Sequence, residues 1–209
     1  MTKTSKILSA GLLVIVAFGC SGQRQPVRQS VRIPPRIDLT QHEMIGVVQF
    51  KTTAKGELGP LITRRFTEVA RQDQGLVRMV GFGPQVRVGS TSPDAFKSLG
   101  HKHGVATLVL GELTVSDVRP DLSLSSGLRS GTLSAKVDAT LEVQLIETSS
   151  GASIWSSSAR ATQSVGHISV FGGGDFSFDA DDPERAYGNL VDALVAHVTR
   201  DFRATWQQQ

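Results

Sequence analysis

From Leu133 to Leu145 every second residue is apolar (Leu133, Ala135, Val137, Ala139, Leu141, Val143, Leu145), and every residue between them is polar (Ser134, Lys136, Asp138, Thr140, Glu142, Gln144). Side chains of an extended chain alternate between two faces, so seven matches at period two require a strand over Leu133 to Ile146 with one face buried and one face wet. A helix would scatter the same residues around its axis. Thr148-Ser149-Ser150-Gly151 then reads as a turn, and Ser153 to Val165 as the antiparallel partner.

The rest of the fold is read outward from that hairpin. Ile45 to Phe50 is a first strand, buried on both faces, and Leu76 to Val80 a short second one. Between them Leu58, Leu61, Ile62, Phe66, Val69 and Ala70 form one stripe of a helix over Gly56 to Gln72. Ser92 before Pro93 caps a second helix that stops near Gly104, and Val105 to Val118 is a long third strand. Asp182-Pro183 opens a last helix with Tyr187, Leu190, Val191, Leu194, Val195, Val198 and Phe202 on one face. The order β-α-β-α-β-β-β-α predicts an α/β (α+β) single domain, with a mixed, mostly antiparallel sheet and helices packed against it.

The N-terminus is of another kind. Lys3 and Lys6 precede an apolar run, Ile7 to Phe18, that ends at Gly19-Cys20. This three-part layout is that of a secretory signal peptide, and about twelve apolar residues fall short of the roughly twenty that span a bilayer. Ala17, Gly19 and Cys20 resemble the lipobox of bacterial lipoproteins, in which the peptide is cut before a lipidated cysteine. The resemblance implies a signal peptide over residues 1–19, lipid on Cys20 and, with Ser21 next, an outer-membrane destination facing the periplasm. The alternative is a secreted protein with a free thiol. Cys20 is the only cysteine, so once lipid occupies it the chain has neither a disulfide nor a cysteine nucleophile.

Charge is unevenly placed. Residues 1–37 hold Lys3, Lys6, Arg24, Arg28, Arg32 and Arg36 and no acid, leaving 16 of the 22 bases against all 19 acids beyond residue 37, a net of −3. Pro26, Pro34 and Pro35 forbid a helix that would align the four arginines. Residues 20–37 are therefore read as the lipidated cysteine and a basic tether, lying on anionic headgroups or merely solvated, and residues 38–209 as the domain. An acidic body with 6% aromatic residues is a poor nucleic-acid binder.

Within the domain, His103-Gly104-Val105-Ala106 entering Leu108-Val109-Leu110-Gly111, and Val143 to Ala152 followed by Ile154-Trp155, resemble motifs of the curli secretion-channel lipoprotein family. Relatives of that family are the penicillin-binding-protein activator lipoproteins and the N-terminal domain of the Tol-system propeller protein. The resemblance implies the same fold. It also implies a non-enzymatic envelope protein that works by contact with a protein partner or with copies of itself, in envelope assembly or secretion. Activation of a peptidoglycan synthase and a place in an oligomeric secretion channel are the alternatives. No cofactor and no small-molecule substrate are expected.

Two insertions stand where the family's membrane hairpins would stand. One covers Asp117 to Gly131, the other His167 to Phe178. A membrane strand needs about nine to eleven residues, whereas Ile168 to Phe171 and Asp175 to Phe178 supply four each, and Pro120 interrupts the first insertion. Short contact hairpins are thus expected in place of a pore. The second would present Phe171, Phe176 and Phe178 around Gly172, Gly173 and Gly174, unless these rings fold back on the core. Phe171 to Asp175 lacks the strand-to-helix context and the Lys-Ser or Lys-Thr pair of a phosphate loop. Asp175, Asp179, Asp181, Asp182 and Glu184 lack the spacing of a calcium loop, and helix capping accounts for part of the cluster. His101 and His103 fall on different helix faces, and no Gly-x-Ser-x-Gly elbow occurs, so no metal site and no catalytic residue is expected.

Overall fold

The alternating segment forms the middle of a mixed sheet, with its apolar face turned into the main core and its polar face largely open. The computed structural model describes residues 30–75, 77–86, 92–124, 131–166, 169–171, 175–178 and 182–208. Its first strands are β1 (Ser30–Ile33), β2 (Ile45–Val47), β3 (Lys51–Thr52) and β4 (Lys55–Gly56), followed by helix α1 (Leu58–Gln74). Then come β5 (Met79–Gly81), α2 (Pro93–His103), β6 (Thr107–Leu124), β7 (Gly131–Glu147) and β8 (Ser153–Gly166). The chain ends with β9 (Ser169–Phe171), β10 (Asp175–Phe178), α3 (Pro183–Val198) and β11 (Thr205–Gln208). The central order is β5-β2-β6-β7-β8, with β3 beside β6. The short contacts among β2, β3, β5 and β6 are parallel, and the long ladders β6–β7 and β7–β8 antiparallel, so the expected fold class holds.

Helices α1 and α3 cover one face. Val137, Ala139, Leu141, Val143 and Leu145 of β7 meet Leu58, Ile62 and Phe66 of α1 and Tyr187, Leu190, Leu194 and Val198 of α3 in one cluster. The rings of Phe50, Phe66, Phe202 and Trp155 run through it in contact, with centroids 5.3, 6.1 and 4.7 Å apart. On the opposite face α2 covers one end of the sheet, where Phe96 packs with Val48, Val105, Leu108 and Ile146. Local chemistry sets these boundaries as expected. The Ser92 hydroxyl accepts from the Ala95 amide, Asp182 accepts from the Arg185 amide, and Gly104 closes α2 at φ +63°.

Three features depart from the expectations. The first strand stops at Val47, and Phe50 turns into the core over Gly111, where a Cβ would lie 2.4 Å from the Phe50 ring. The third strand runs on to Leu124, and its ladder with β7 extends to Leu124 opposite Gly131, so most of the first insertion continues two long strands. Pro120 is tolerated because, among the described residues, that stretch of β6 pairs only with β7 and needs no second row of donors. A bulge between Val115 and Asp117 accompanies the extension, and there the Ser116 hydroxyl donates to the Asp138 carbonyl. The end of the region read as tether forms β1, which pairs antiparallel with β11 from Ser30 opposite Gln208 to Ile33 opposite Thr205.

Candidate interaction site

The second insertion is the candidate contact hairpin. β9 and β10 pair antiparallel, Phe171 opposite Asp175 and Val170 opposite Phe176, and β10 also runs parallel to β4, Phe178 opposite Gly56. One strand of the hairpin is thereby held by backbone bonding against the segment that leads into α1. Gly172, Gly173 and Gly174 lie outside the described residues, as do the signal-peptide segment and Cys20.

A second surface arises where the two ends of the domain meet. Gln74, in the last turn of α1, joins them: its amide nitrogen donates to the Ile37 carbonyl at 3.0 Å and to the Phe202 carbonyl at 2.5 Å, and its amide oxygen accepts from the Leu39 amide at 2.9 Å. The Ile37 amide donates to the Asp201 carbonyl. The Asp201 carboxylate accepts from the Trp155 indole at 3.2 Å and sits 3.9 Å from the Arg36 guanidinium. Arg203 donates to Asp73 at 2.7 Å. From this base the ribbon β1–β11 projects with all eight residues exposed. No sequence signal marked it, because strands of four residues carry too little alternation to register and their partners stand at opposite ends of the chain.

Beside the base lies a cleft of about 420 Å³ lined by Pro34, Arg36, Asp38, His42, Ile154 and Trp155 among others. His42 Nδ1 and the Thr107 hydroxyl share a hydrogen bond of 3.1 Å. A hydrolase would need such a pair to be joined by an acid and open to substrate. Thr107 is only 1% exposed, Asp38 is occupied in capping the turn at Leu39–Gln41, and Glu147 accepts from Ser150, so nothing builds a nucleophile here. Burial holds the His42 pKa below its usual 6.5, opposed by the nearby charges of Asp38 and Glu147. The unfolded chain therefore takes up the His42 proton more readily than the folded one. Stability contributed by neutral His42 is full above about pH 6.5 and is lost as pH falls from there through the folded value. An NMR titration of the His42 ring should show a midpoint under 6.5, and His42→Gln should flatten the fall in stability that sets in below about pH 6.5.

Three of the remaining polar candidates have structural partners, and His167, Asp179 and Asp181 lie outside the described residues. Asp182 caps α3, Glu184 pairs with Arg64 and Arg65, and the His197 ring bonds the Ala193 carbonyl. His101 and His103 occupy the last turn of α2, where the His103 ring lies 4.5 Å from that of Phe82. Asp138, on the open face of β7, accepts from Thr162 at 2.5 Å and from Arg119 at 3.1 Å and so clamps β6, β7 and β8 together. Among the described residues no three His, Cys, Asp or Glu side chains converge as a metal site would require, and no helix is long and apolar enough to cross a membrane.

The fold and these surfaces define a class: a mixed sheet with two helices on one face and one on the other, paired ends of the domain and a long antiparallel ladder between β6 and β7. No family model matches the chain, and no curated protein does. Among solved structures it is similar to the PelC dodecamer from Paraburkholderia phytofirmans, at 11% identity and TM-score 0.47, over 85% of this chain and 98% of that one. It is also similar to the LpoB C-terminal domain from Escherichia coli, at 14% and 0.40 over 61% and 88%, and to lipoprotein GNA1162 from Neisseria meningitidis, at 14% and 0.33 over 58% and 83%. At such identities the likeness is one of fold, and function has to be argued from the site.

Proposed function

We propose that the chain is a non-enzymatic lipoprotein of the cell envelope, held to the periplasmic face of the outer membrane by lipid on Cys20 and acting by contact with an envelope protein in assembly or secretion. The observation that carries this reading is the single thiol of the sequence, placed directly after a twelve-residue apolar run and Gly19. Several acyl chains at about 0.8 kcal/mol per buried methylene would make the anchor permanent. Cys20→Ser should move the protein from the membrane to the soluble fraction, and membrane retention of that variant would falsify the anchor.

The hairpin Phe171, Gly172, Gly173, Gly174, Phe176 and Phe178 is the proposed contact element, and self-association is one form the contact would take. A pull-down from the native envelope with Gly172 to Gly174 deleted tests it: an unchanged partner profile removes the hairpin from the functional surface. Activation of a peptidoglycan synthase is disfavoured by reach. With Ser30 already paired, residues 21–29 span at most about 30 Å when fully extended, short for a target in the other membrane. The channel alternative gains little from β6, which continues from Thr114 to Leu124 beyond its last parallel partner at Leu113 but still packs Val115 and Val118 against the main core, leaving fewer than the about nine to eleven residues of a membrane strand. It loses from β9 and β10, which number three and four residues.

A further inference from the structure

The ribbon β1–β11 is built at some expense yet exposes apolar surface to water. Trp206 is 67% exposed, Val31 43% and Ile33 42%, three of the five large apolar residues so exposed among those described. A two-stranded ribbon in water is marginal by itself, so one that carries its apolar side chains outward is matched to a surface that covers them. Its charge is one-sided. Neither strand contains an acid, Arg32 lies directly across from Trp206, and the Arg36 side chain just beyond β1 is 79% exposed. Trp206 and Arg32 share one face of the ribbon and Val31 and Ile33 the other, so the headgroup layer of an anionic leaflet, entered by the whole ribbon, would cover the apolar groups of both faces and attract the guanidinium. Position agrees with chemistry: only nine residues separate Cys20 from Ser30, so the ribbon lies within about 35 Å of an anchored thiol.

We propose that the β1–β11 ribbon docks into the headgroup layer of the leaflet that carries the Cys20 lipid, setting the orientation of the domain on the membrane. The proposal rests on the lipid-anchor reading above. The ribbon makes the short, basic segment a second membrane contact, and Gln74 transmits its orientation to α1.

The test uses the full lipidated protein in vesicles of phosphatidylethanolamine and phosphatidylglycerol with brominated acyl chains, which quench tryptophan at short range. The expected result is loss of most of the Trp206 emission, absent in Trp206→Phe, with Trp155 little affected because its indole is turned inward on Asp201. Arg32→Gln combined with Arg36→Gln, or vesicles of phosphatidylcholine alone, should restore much of that emission. Lipid present on Cys20 by mass spectrometry with Trp206 unquenched overturns the docking alone. Absence of lipid on Cys20 overturns the anchor reading, and the docking with it. Trp206 shielded from acrylamide in proportion to protein concentration, without vesicles, assigns the ribbon to a second copy and likewise overturns the proposal.

Discussion

Phe66→Ala is expected to lower the unfolding free energy by about 3–5 kcal/mol, roughly a fifth or more of the about 5–15 kcal/mol that holds a domain folded. Phe66 is fully buried on the inner face of α1, between the rings of Phe50 and Phe202. Its removal takes away the apolar area of one large ring and leaves a void that three separate elements border. The segment before β3 carries Phe50, the turn after α3 carries Phe202, and α1 itself cannot shift toward the sheet without dragging Gln74. Collapse of the void is therefore restricted, which places the cost at the upper part of the range. Urea unfolding should show the midpoint lowered with an unchanged slope; a loss under about 1 kcal/mol would mean that the aromatic row is not the centre of the core.

Gln74→Ala is expected to cost about 2–4 kcal/mol and to loosen the ends of the domain first. The side chain satisfies the carbonyls of Ile37 and Phe202 and the amide of Leu39, which no helix or sheet ladder serves. A buried backbone group left without a partner costs about 1–3 kcal/mol, with water repaying part at a half-buried site. Hydrogen exchange separates this effect from that of Phe66→Ala. The amides of Leu39 and of β1 and β11 should lose protection while those of β7 keep it. Uniform loss over the sheet would show that Gln74 acts on global stability and not on the ribbon.

The contrast between the two residues also marks what can be read from the chain alone. Phe66 stands in a stripe of period 3.6 that identifies its helix and its inward face, and the alternation through β7 does the same for the central strand. The caps Ser92, Gly104 and Asp182 act within four residues of their own position, so their chemistry is complete in a short window. Gln74 reads from sequence as one more polar residue at a helix end. Its role depends on Ile37 and Phe202, 37 and 128 residues away, being brought to one place. The same holds for β6 beyond Val118, where Pro120 signals an interruption, and the tertiary arrangement permits the strand to continue because, among the described residues, only β7 pairs with it there.

For the proposed anchor the relation is reversed. Cys20 and its apolar run are a local motif, legible without any structure, and they carry the proposed compartment. Trp206 and Arg32 acquire meaning only when β1 and β11 pair. Local periodicity, capping and targeting signals are properties of neighbouring residues, so the sequence alone determined the central strand, the three helices, their buried faces and the candidate lipid site. Pairing between distant short strands is selected by the free energy of the whole assembled core, and only the tertiary structure decided that the two ends of this domain form one exposed, basic, tryptophan-bearing ribbon.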